Sequence, residues 1–182
     1  MVWMNVDLPS SSLILGGVRS GKSRYAEQLA QRGNMPVTFI ATARANGDEA
    51  MRLRIEHHRA TRPRHWHTIE EPMALSSCLA TEARAGQTIL VDCLTLWLTN
   101  LLLSNDESRC VSETAHLVDI LPHLPGHLIL VSNETGLGIT PLGELTRRFS
   151  DDMGRLHQAL AQQCASVVLM VAGLPLNLKG AS

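Results

Sequence analysis

The chain is poor in aromatic residues and has no excess of charge of one sign. Phe, Trp and Tyr make up 3% of its 182 residues, and the formal net charge is -1. Nucleic-acid-binding proteins usually carry a basic surface and stacking aromatic residues, so we expect no nucleic-acid partner. No apolar run approaches the ~20 residues of a membrane span, and we expect no such span.

Cysteine motifs and low-complexity segments are also lacking. The four cysteines are scattered without a C-x-x-C pair, which favours reduced thiols in a cytoplasmic protein over disulfides or a metal cluster. Hydrophobic residues make up 45% of the chain, which is typical of a globular protein. We predict a single domain over residues 13–182. It follows a loose leader over residues 1–12 that lacks the pattern of a signal peptide.

The most informative segment is Gly-Gly-Val-Arg-Ser-Gly-Lys-Ser, which directly follows the apolar run 13–15. This is the G-x-x-x-x-G-K-S phosphate loop between a predicted strand and a predicted helix. Gly16 and Gly21 let the backbone N–H groups point at phosphate oxygens, and Lys22 brings a positive charge to the outer phosphates. The sequence therefore predicts a nucleoside triphosphate site, made of Gly16, Gly17, Val18, Arg19, Ser20, Gly21, Lys22 and Ser23.

Short apolar segments alternate with helical patterns along the rest of the chain. This alternation predicts an α/β fold in which a mostly parallel sheet is covered by helices on both faces. The predicted strands are 13–15, 37–41, 88–91, 127–132 and 166–172. The predicted helices are 22–32, 48–59, 72–84, 94–103, 112–121 and 141–164. The last helix is expected to have Thr140 as N-cap, Pro141 as its first residue and an apolar stripe of Leu145, Phe149, Leu156 and Leu160.

A carboxylate ends the third predicted strand, where the apolar run 88–91 is followed by Asp92. In phosphate-loop folds such an aspartate lies beside the loop and helps to position magnesium, as does the loop hydroxyl, here Ser23. We therefore predict that Ser23 and Asp92 bind Mg²⁺. The alternative is that Asp92 only caps the helix predicted from Leu94.

Residues 54–67 hold four of the eight histidines and four arginines. Three ordinary interpretations compete, namely a solvated polar face, a metal site and an anion-binding surface built from arginine forks. His57 and His58 point about a third of a helical turn apart, which disfavours a shared metal. In a fourth interpretation a histidine is a nucleophile. A neutral imidazole, with a reference pKa of about 6.5, can attack phosphorus and carry a nucleotidyl group.

Several further motifs follow the phosphate loop in order. They are Phe39-Ile40-Ala41-Thr42-Ala43, Glu56-His57-His58-Arg59, Arg62-Pro63, Trp66, Glu70, Val91-Asp92-Cys93-Leu94-Thr95, residues 131–138, Pro141, Arg148-Phe149, Asp151, Gly154 and Arg155. Together these segments resemble the bifunctional adenosylcobinamide kinase and adenosylcobinamide-phosphate guanylyltransferase family of cobalamin biosynthesis. The resemblance covers nearly the whole chain after the leader.

This resemblance implies two reactions. ATP or GTP phosphorylates the aminopropanol hydroxyl of adenosylcobinamide, and GTP then transfers GMP to that phosphate through a covalent GMP-histidine. The resemblance implies that His57 carries the GMP and that Lys22 acts at the phosphates. The implied nucleotide contacts beyond the phosphate loop are Ala41, Thr42, Ala43, His58, Arg59, Ala60, Thr61, Glu70 and Asp92. The family also implies a RecA-like fold, a cytoplasmic location and a homotrimer.

The chain departs from the family pattern at two positions that carry none of this chemistry. Thr135 stands where valine is often found, and His157 stands where asparagine is common. Glu134 either orients a metal or acceptor or stabilises a turn. Two other functions fit the residues alone: a phosphate-loop small-molecule kinase in which His57 only binds phosphate, and a regulatory nucleotide-binding switch or motor subunit.

Overall fold

The computed structural model describes residues 8–44, 49–104 and 106–180, without the side chains of residues 50, 51, 54, 57, 58 and 61. Seven strands and six α-helices lie within these ranges. The strands are β1 (Ser11–Gly16), β2 (Val37–Ala41), β3 (His67–Glu70), β4 (Thr88–Asp92), β5 (His127–Asn133), β6 (Ser166–Val171) and β7 (Leu174–Lys179). The helices are α1 (Lys22–Arg32), α2 (Glu49–Thr61), α3 (Leu75–Glu82), α4 (Leu94–Leu103), α5 (Glu107–Ile120) and α6 (Glu144–Gln163).

The strands form one sheet in the order β3-β2-β4-β5-β1-β6-β7. β1 to β6 pair in parallel, and β7 pairs antiparallel with β6 at one edge. The carboxyl ends of the parallel strands therefore meet along one side of the sheet, where Gly16 lies opposite Asn133 of β5 and Met170 of β6. The predicted α/β fold with a mostly parallel sheet is confirmed.

Alternate residues of the central strands pack into two cores on opposite faces of the sheet. In β1, Leu13 and Leu15 belong to one core and Ile14 to the other, because successive side chains of a strand point to opposite faces. Helices α3, α4, α5 and α6 cover the first core, and α1 covers the second through Ala26 and Ala30. Since both faces are buried, the central strands are continuous apolar runs, which is why sequence pattern locates them.

The five predicted strands agree with the structure to within two residues at each end, whereas the two edge strands were not predicted. In β3 only Ile69 is partly buried, and every residue of β7 is exposed. Neither strand has the apolar run by which a buried strand is recognised in a sequence.

Two helices begin where acidic side chains accept backbone N–H groups. The Glu71 carboxylate accepts the N–H groups of Met73 and Ala74 at 2.8 and 2.7 Å, so α3 begins three residues later than predicted. Asp106 caps α5 by accepting the Arg109 N–H at 2.9 Å, so that helix begins at Glu107 and not at Ser112. The predicted start of α2, Asp48, lies outside the described residues.

The predicted start of the last helix is wrong. α6 begins at Glu144 with Gly143 as N-cap, and the Gly143 carbonyl accepts the Arg147 N–H at 3.0 Å. A helix from Pro141 would place Gly143 in its first turns, and glycine costs about 1 kcal/mol in a helix interior. Leu145 was also assigned wrongly to the buried stripe, since it is 53% exposed, whereas Leu156 and Leu160 are buried as predicted.

Candidate active site

The phosphate loop lies at the carboxyl end of β1, between β1 and α1. A side chain at Gly16 would place its Cβ 2.8 Å from the Met170 carbonyl oxygen of β6, so only glycine fits. Gly21 at the start of α1 has φ 94°, a left-handed conformation that glycine adopts at little cost. Lys22 is 9% exposed, and its Nζ donates to the Gly17 carbonyl oxygen at 3.2 Å. The Lys22 side chain thus reaches back to the start of the phosphate loop, and its ammonium group lies where phosphate groups bind in such folds.

Two neighbouring segments hold the phosphate loop from either side. The Glu134 N–H, just after β5, donates to the Gly16 carbonyl oxygen at 3.0 Å. The Gly173 N–H, in the turn from β6 to β7, donates to the Ser20 carbonyl oxygen at 2.9 Å. These backbone contacts fix the loop relative to the ends of three strands.

An acidic pair adjoins the first turn of α1. Burial and the nearby Asp92 carboxylate raise the pKa of Glu27. Ser23 and Glu27 are four residues apart on α1 and therefore share a helix face, and α1 packs against β4, the strand that ends at Asp92. The N-cap of α4 is Cys93 and no side chain caps that helix, so the alternative role of Asp92 as a helix cap is not observed.

Thr42 joins the carboxyl ends of β2 and β4. It is completely buried, and its hydroxyl donates to the Cys93 carbonyl oxygen at 2.7 Å and accepts the Cys93 N–H at 2.9 Å. Asn100 of α4 donates to the Thr42 carbonyl oxygen at 2.8 Å. The side chain of this predicted nucleotide contact is therefore engaged in the scaffold, while Ala41 and Ala43 on either side of it line the adjacent cleft.

That cleft, of about 510 Å³, opens between α2 and the ends of β2 and β3. Its lining is strongly charged and consists of Ala41, Ala43, Arg44, Arg52, Ile55, Glu56, Arg59, Arg62, Glu70 and Pro72. Arg59 of α2 forms an ion pair with Glu70 of β3 across the cleft. Ala60, the next residue of α2, is exposed. Two of the predicted contacts, Arg59 and Glu70, are thus brought together by tertiary structure.

His57 and His58 lie on α2 between Glu56 and Arg59, both of which line the cleft. Their side chains and that of Thr61 lie outside the described residues. The backbone therefore places the predicted nucleophile on the helix that forms one wall of the cleft.

Arg62 is a cleft residue that the sequence did not single out as a contact. Its guanidinium lies 3.5 Å from the centre of the Phe39 ring, which in turn stacks on Trp66. Burial lowers the pKa of Arg62, while the charges of Asp92 and Glu27 raise it. The guanidinium of Arg62 therefore lines the cleft and is also attracted by the carboxylates of Asp92 and Glu27 at the phosphate loop. The signal for it was present, since Arg62, Trp66 and Phe39 all belong to the motifs that carry the family resemblance.

A buried polar network on the other side of the phosphate loop was also missed. Ser132 Oγ lies 3.3 Å from Thr95 Oγ1 and 2.8 Å from His157 Nε2. His157 Nδ1 is 3.8 Å from a carboxylate oxygen of Glu134. Burial lowers the pKa of His157 more than Glu134 raises it. These residues are distant in sequence, and only the packing of α4 and α6 on β5 brings them together.

The chain is similar over nearly its full length to characterised bifunctional proteins. Residues 12–178 match the family described as cobinamide kinase / cobinamide phosphate guanyltransferase. The bifunctional adenosylcobalamin biosynthesis protein CobP of Pseudomonas aeruginosa is 60% identical over 168 residues, which cover 92% of this chain and 96% of that protein. The CobU protein of Escherichia coli K12 is 36% identical, covering 92% of this chain and 98% of CobU.

Solved structures of distant proteins share the fold. The flagellar accessory protein FlaH of Methanocaldococcus jannaschii has a TM-score of 0.54 at 15% identity, over 95% of this chain and 80% of FlaH. An ATPase from the type III secretion system of pathogenic bacteria has a TM-score of 0.55 at 11% identity, over 89% of this chain and 52% of that ATPase. The chain shares with these proteins the fold of a mostly parallel sheet with helices on both faces. By its sequence match, the chain belongs to the cobinamide kinase / cobinamide phosphate guanyltransferase family.

Proposed function

We propose that this protein phosphorylates adenosylcobinamide and then transfers GMP from GTP to the product, in the biosynthesis of adenosylcobalamin. The observation that carries the proposal is the family match over residues 12–178, which includes both the phosphate loop and the charged cleft. The kinase and guanyltransferase activities belong to the family. The covalent intermediate and the contacts named below are our proposals for this chain.

In the kinase step, the hydroxyl oxygen of cobinamide attacks the γ-phosphorus of ATP or GTP. The bond from the γ-phosphorus to the bridging oxygen breaks, the nucleoside diphosphate leaves, and the hydroxyl proton passes to solvent or a carboxylate. Lys22 and the N–H groups of the phosphate loop stabilise the charge that develops on the transferred group and on the leaving oxygens. This step requires no group from α2.

In the guanylyl step, a ring nitrogen of His57 attacks the α-phosphorus of GTP and pyrophosphate leaves. The imidazolium that forms can lose its other N–H proton, which leaves a phosphoramidate with a neutral ring and an anionic phosphoryl group. The ring then takes a proton back, and an oxygen of cobinamide phosphate attacks the phosphorus, so that a P–O bond replaces the P–N bond and neutral imidazole leaves. The place of His57 on α2, the helix that forms one wall of the charged cleft, supports this role, because Arg59 and Arg62 supply cations that suit a triphosphate.

The contacts to guanosine are proposed on the cleft side of the loop. Glu70 and Arg59 form the ion pair that nucleotide binding would rearrange, and Ala41 and Ala43 leave room for the base or ribose. His58, Ala60 and Thr61 stay predicted contacts from the same helix.

Magnesium fits the residues beside the phosphate loop. Ser23 and Asp92 would hold it, and Glu27 lies nearby, where burial and then the charge of Asp92 raise its pKa. Ser20 Oγ and Asn133 Oδ1 are buried beside the loop without a hydrogen-bond partner among the described residues. Such atoms are satisfied when phosphates and their hydrated ion bind. When bound, the ion would neutralise charge on the phosphate oxygens.

The assembly and location of the protein are also proposals. We propose a homotrimer in the cytoplasm, as the resemblance implies. An exposed aliphatic row on β7, formed by Leu174, Leu176 and Leu178, supports self-association because a row of this kind at a sheet edge favours pairing with another chain. No helix in the described part of the chain combines the length and apolar character needed to cross a bilayer.

Labelled GTP tests the covalent step. The protein is incubated with magnesium and GTP labelled at the α- or γ-phosphate, then denatured in alkali, in which phosphoramidates survive. We expect the α-label to stay on the protein, the γ-label to be lost, and His57→Ala to retain neither. The matched control is His116→Ala, an exposed histidine on α5, which should label like the wild type.

The alternative functions give different outcomes. Neither label on the wild type, together with full cobinamide phosphorylation by His57→Ala, would indicate a kinase without a covalent step. Nucleotide binding without turnover of cobinamide would indicate a regulatory module and contradict the proposal.

A further inference from the structure

The loop from β5 to α6 exposes three aliphatic side chains. Leu137, Ile139 and Leu142 are 83, 96 and 94% exposed, more than any other large hydrophobic residue in the described part of the chain. Residues 135–143 contain no charged side chain. Apolar groups that are this exposed and this close in sequence usually mark a binding surface. We call residues 135–143 the aliphatic loop.

The aliphatic loop is tied at its start to the phosphate loop. The Glu134 N–H donates to the Gly16 carbonyl oxygen at 3.0 Å. The Glu134 side chain then accepts the Gly136 N–H at 2.6 Å. At its other end the loop enters α6, where the Arg147 guanidinium donates to the Leu142 carbonyl oxygen at 2.7 Å. The aliphatic loop therefore starts at the phosphate loop and is fixed at its far end to α6.

The two sides of the phosphate loop differ in chemistry. The cleft on the β2 and β3 side is lined by four arginines and two glutamates and suits a charged nucleotide. The side formed by the aliphatic loop has exposed aliphatic groups, to which Val18 of the phosphate loop adds another at 71% exposure. A ligand with an uncharged, aliphatic periphery fits this side better than a charged nucleotide does.

We propose that the aliphatic loop, through Leu137, Ile139 and Leu142, binds the corrin periphery of cobinamide. This inference rests on the proposed function, which supplies the acceptor. The periphery of a corrin carries methyl and carboxamide groups, so it matches an uncharged aliphatic surface with backbone amides and not an arginine-lined cleft. The acceptor hydroxyl ends a flexible arm of the macrocycle, and a macrocycle docked on this loop can deliver that hydroxyl to a γ-phosphate held by Lys22.

The test substitutes the three side chains together, as Leu137→Ser/Ile139→Ser/Leu142→Ser. All three are exposed, so the substitutions create no cavity. The substitutions remove apolar area that the ligand would bury, so we expect the KM for cobinamide to rise roughly tenfold or more, which corresponds to about 1.4 kcal/mol or more. The KM for GTP and the α-label from GTP should stay at wild-type values.

The matched control is Leu103→Ser/Val111→Ser. These residues are 55 and 63% exposed. Leu103 is the last residue of α4 and Val111 lies on α5, and neither belongs to the aliphatic loop, the phosphate loop or the lining of the charged cleft. Equilibrium dialysis with cobinamide, followed by its visible absorbance, should show weaker binding for the triple variant and unchanged binding for the control. Light scattering should give the wild-type mass for both.

The outcomes separate this inference from the proposed function. An unchanged KM for cobinamide in the triple variant overturns the inference and leaves the two reactions intact. A changed molecular mass with loss of both activities would show that the loop contacts a second copy of the chain, which also overturns it. If the wild type neither labels with GTP nor phosphorylates cobinamide, the proposed function fails first.

Discussion

At the scale of single residues, two buried side chains, Lys22 and Thr42, are held in place by hydrogen bonds to the backbone around the phosphate loop. Lys22 is buried yet hydrogen-bonded within its own loop, so its charge is positioned before nucleotide arrives. Thr42 is one of the nucleotide contacts that the family resemblance predicts, but its hydroxyl bonds the backbone of Cys93. A motif residue can thus serve the site by holding two strand ends in place.

His157 provides a prediction at this scale. Burial lowers the pKa of His157 in the folded protein. As the pH falls, this histidine is therefore protonated more readily in the unfolded chain than in the folded protein, which favours unfolding. Stability is therefore retained above the ordinary histidine pKa of about 6.5 and decreases as the pH drops below it. We expect His157→Gln to flatten this decrease, measured as the free energy of unfolding in urea between pH 7.5 and pH 5.5.

The control for this measurement is His116→Gln, which changes an exposed histidine on α5. It should follow the wild-type curve. An equally steep decrease in His157→Gln would show that His157 is not the group responsible.

At the scale of elements, the site depends on how strand ends are joined. β2 and β4 pair up to Ala41 and Asp92, and beyond that point Thr42 replaces the ladder with its side-chain hydrogen bonds to Cys93. α3 and α4 are tied to the same region, since Trp97 Nε1 donates to the Met73 carbonyl oxygen at 2.9 Å. A few buried hydrogen bonds, made by Thr42 and Trp97, therefore fix the strand ends beside the cleft.

We expect Thr42→Val to lower the free energy of unfolding by about 1–3 kcal/mol, because it leaves the buried Cys93 N–H without a partner. Urea denaturation of the purified variant measures this. Thr99→Val is the control, since the Thr99 hydroxyl bonds only the Thr95 carbonyl within α4 and its loss should cost much less. Equal stability of the two variants would contradict the structural role of Thr42.

At the scale of the whole molecule, the sheet separates two kinds of surface along its carboxyl edge. The charged cleft lies by β2 and β3, and the exposed aliphatic groups lie by β5 and on β7. The strand order places β1 and the phosphate loop between β5 and β6. One phosphate-binding centre can thus serve a nucleotide from one side and an uncharged acceptor from the other.

Burial in the core also makes the thiols of Cys93 and Cys164 less reactive toward alkylating reagents. Burial raises the pKa of Cys93 to about 12 and that of Cys164 to about 11. Because the thiolate is the reactive form, we expect iodoacetamide at pH 8 to alkylate both thiols more slowly in the native protein than in the unfolded chain, roughly 100-fold for Cys164 and roughly 1000-fold for Cys93. Mass spectrometry of peptides from native and urea-treated protein measures this, and equal rates would contradict it.

The sequence by itself determined the phosphate loop, the five inner strands and the family, because these depend on local patterns: glycine positions, continuous apolar runs and motifs in order. It did not determine the edge strands β3 and β7, whose residues are exposed and carry no periodic apolar signal. Nor did it determine the pairing of Arg59 with Glu70 or of His157 with Ser132. Each of those contacts joins a helix to a strand, and only the packing of α2 and α6 against the sheet brings the partners within reach.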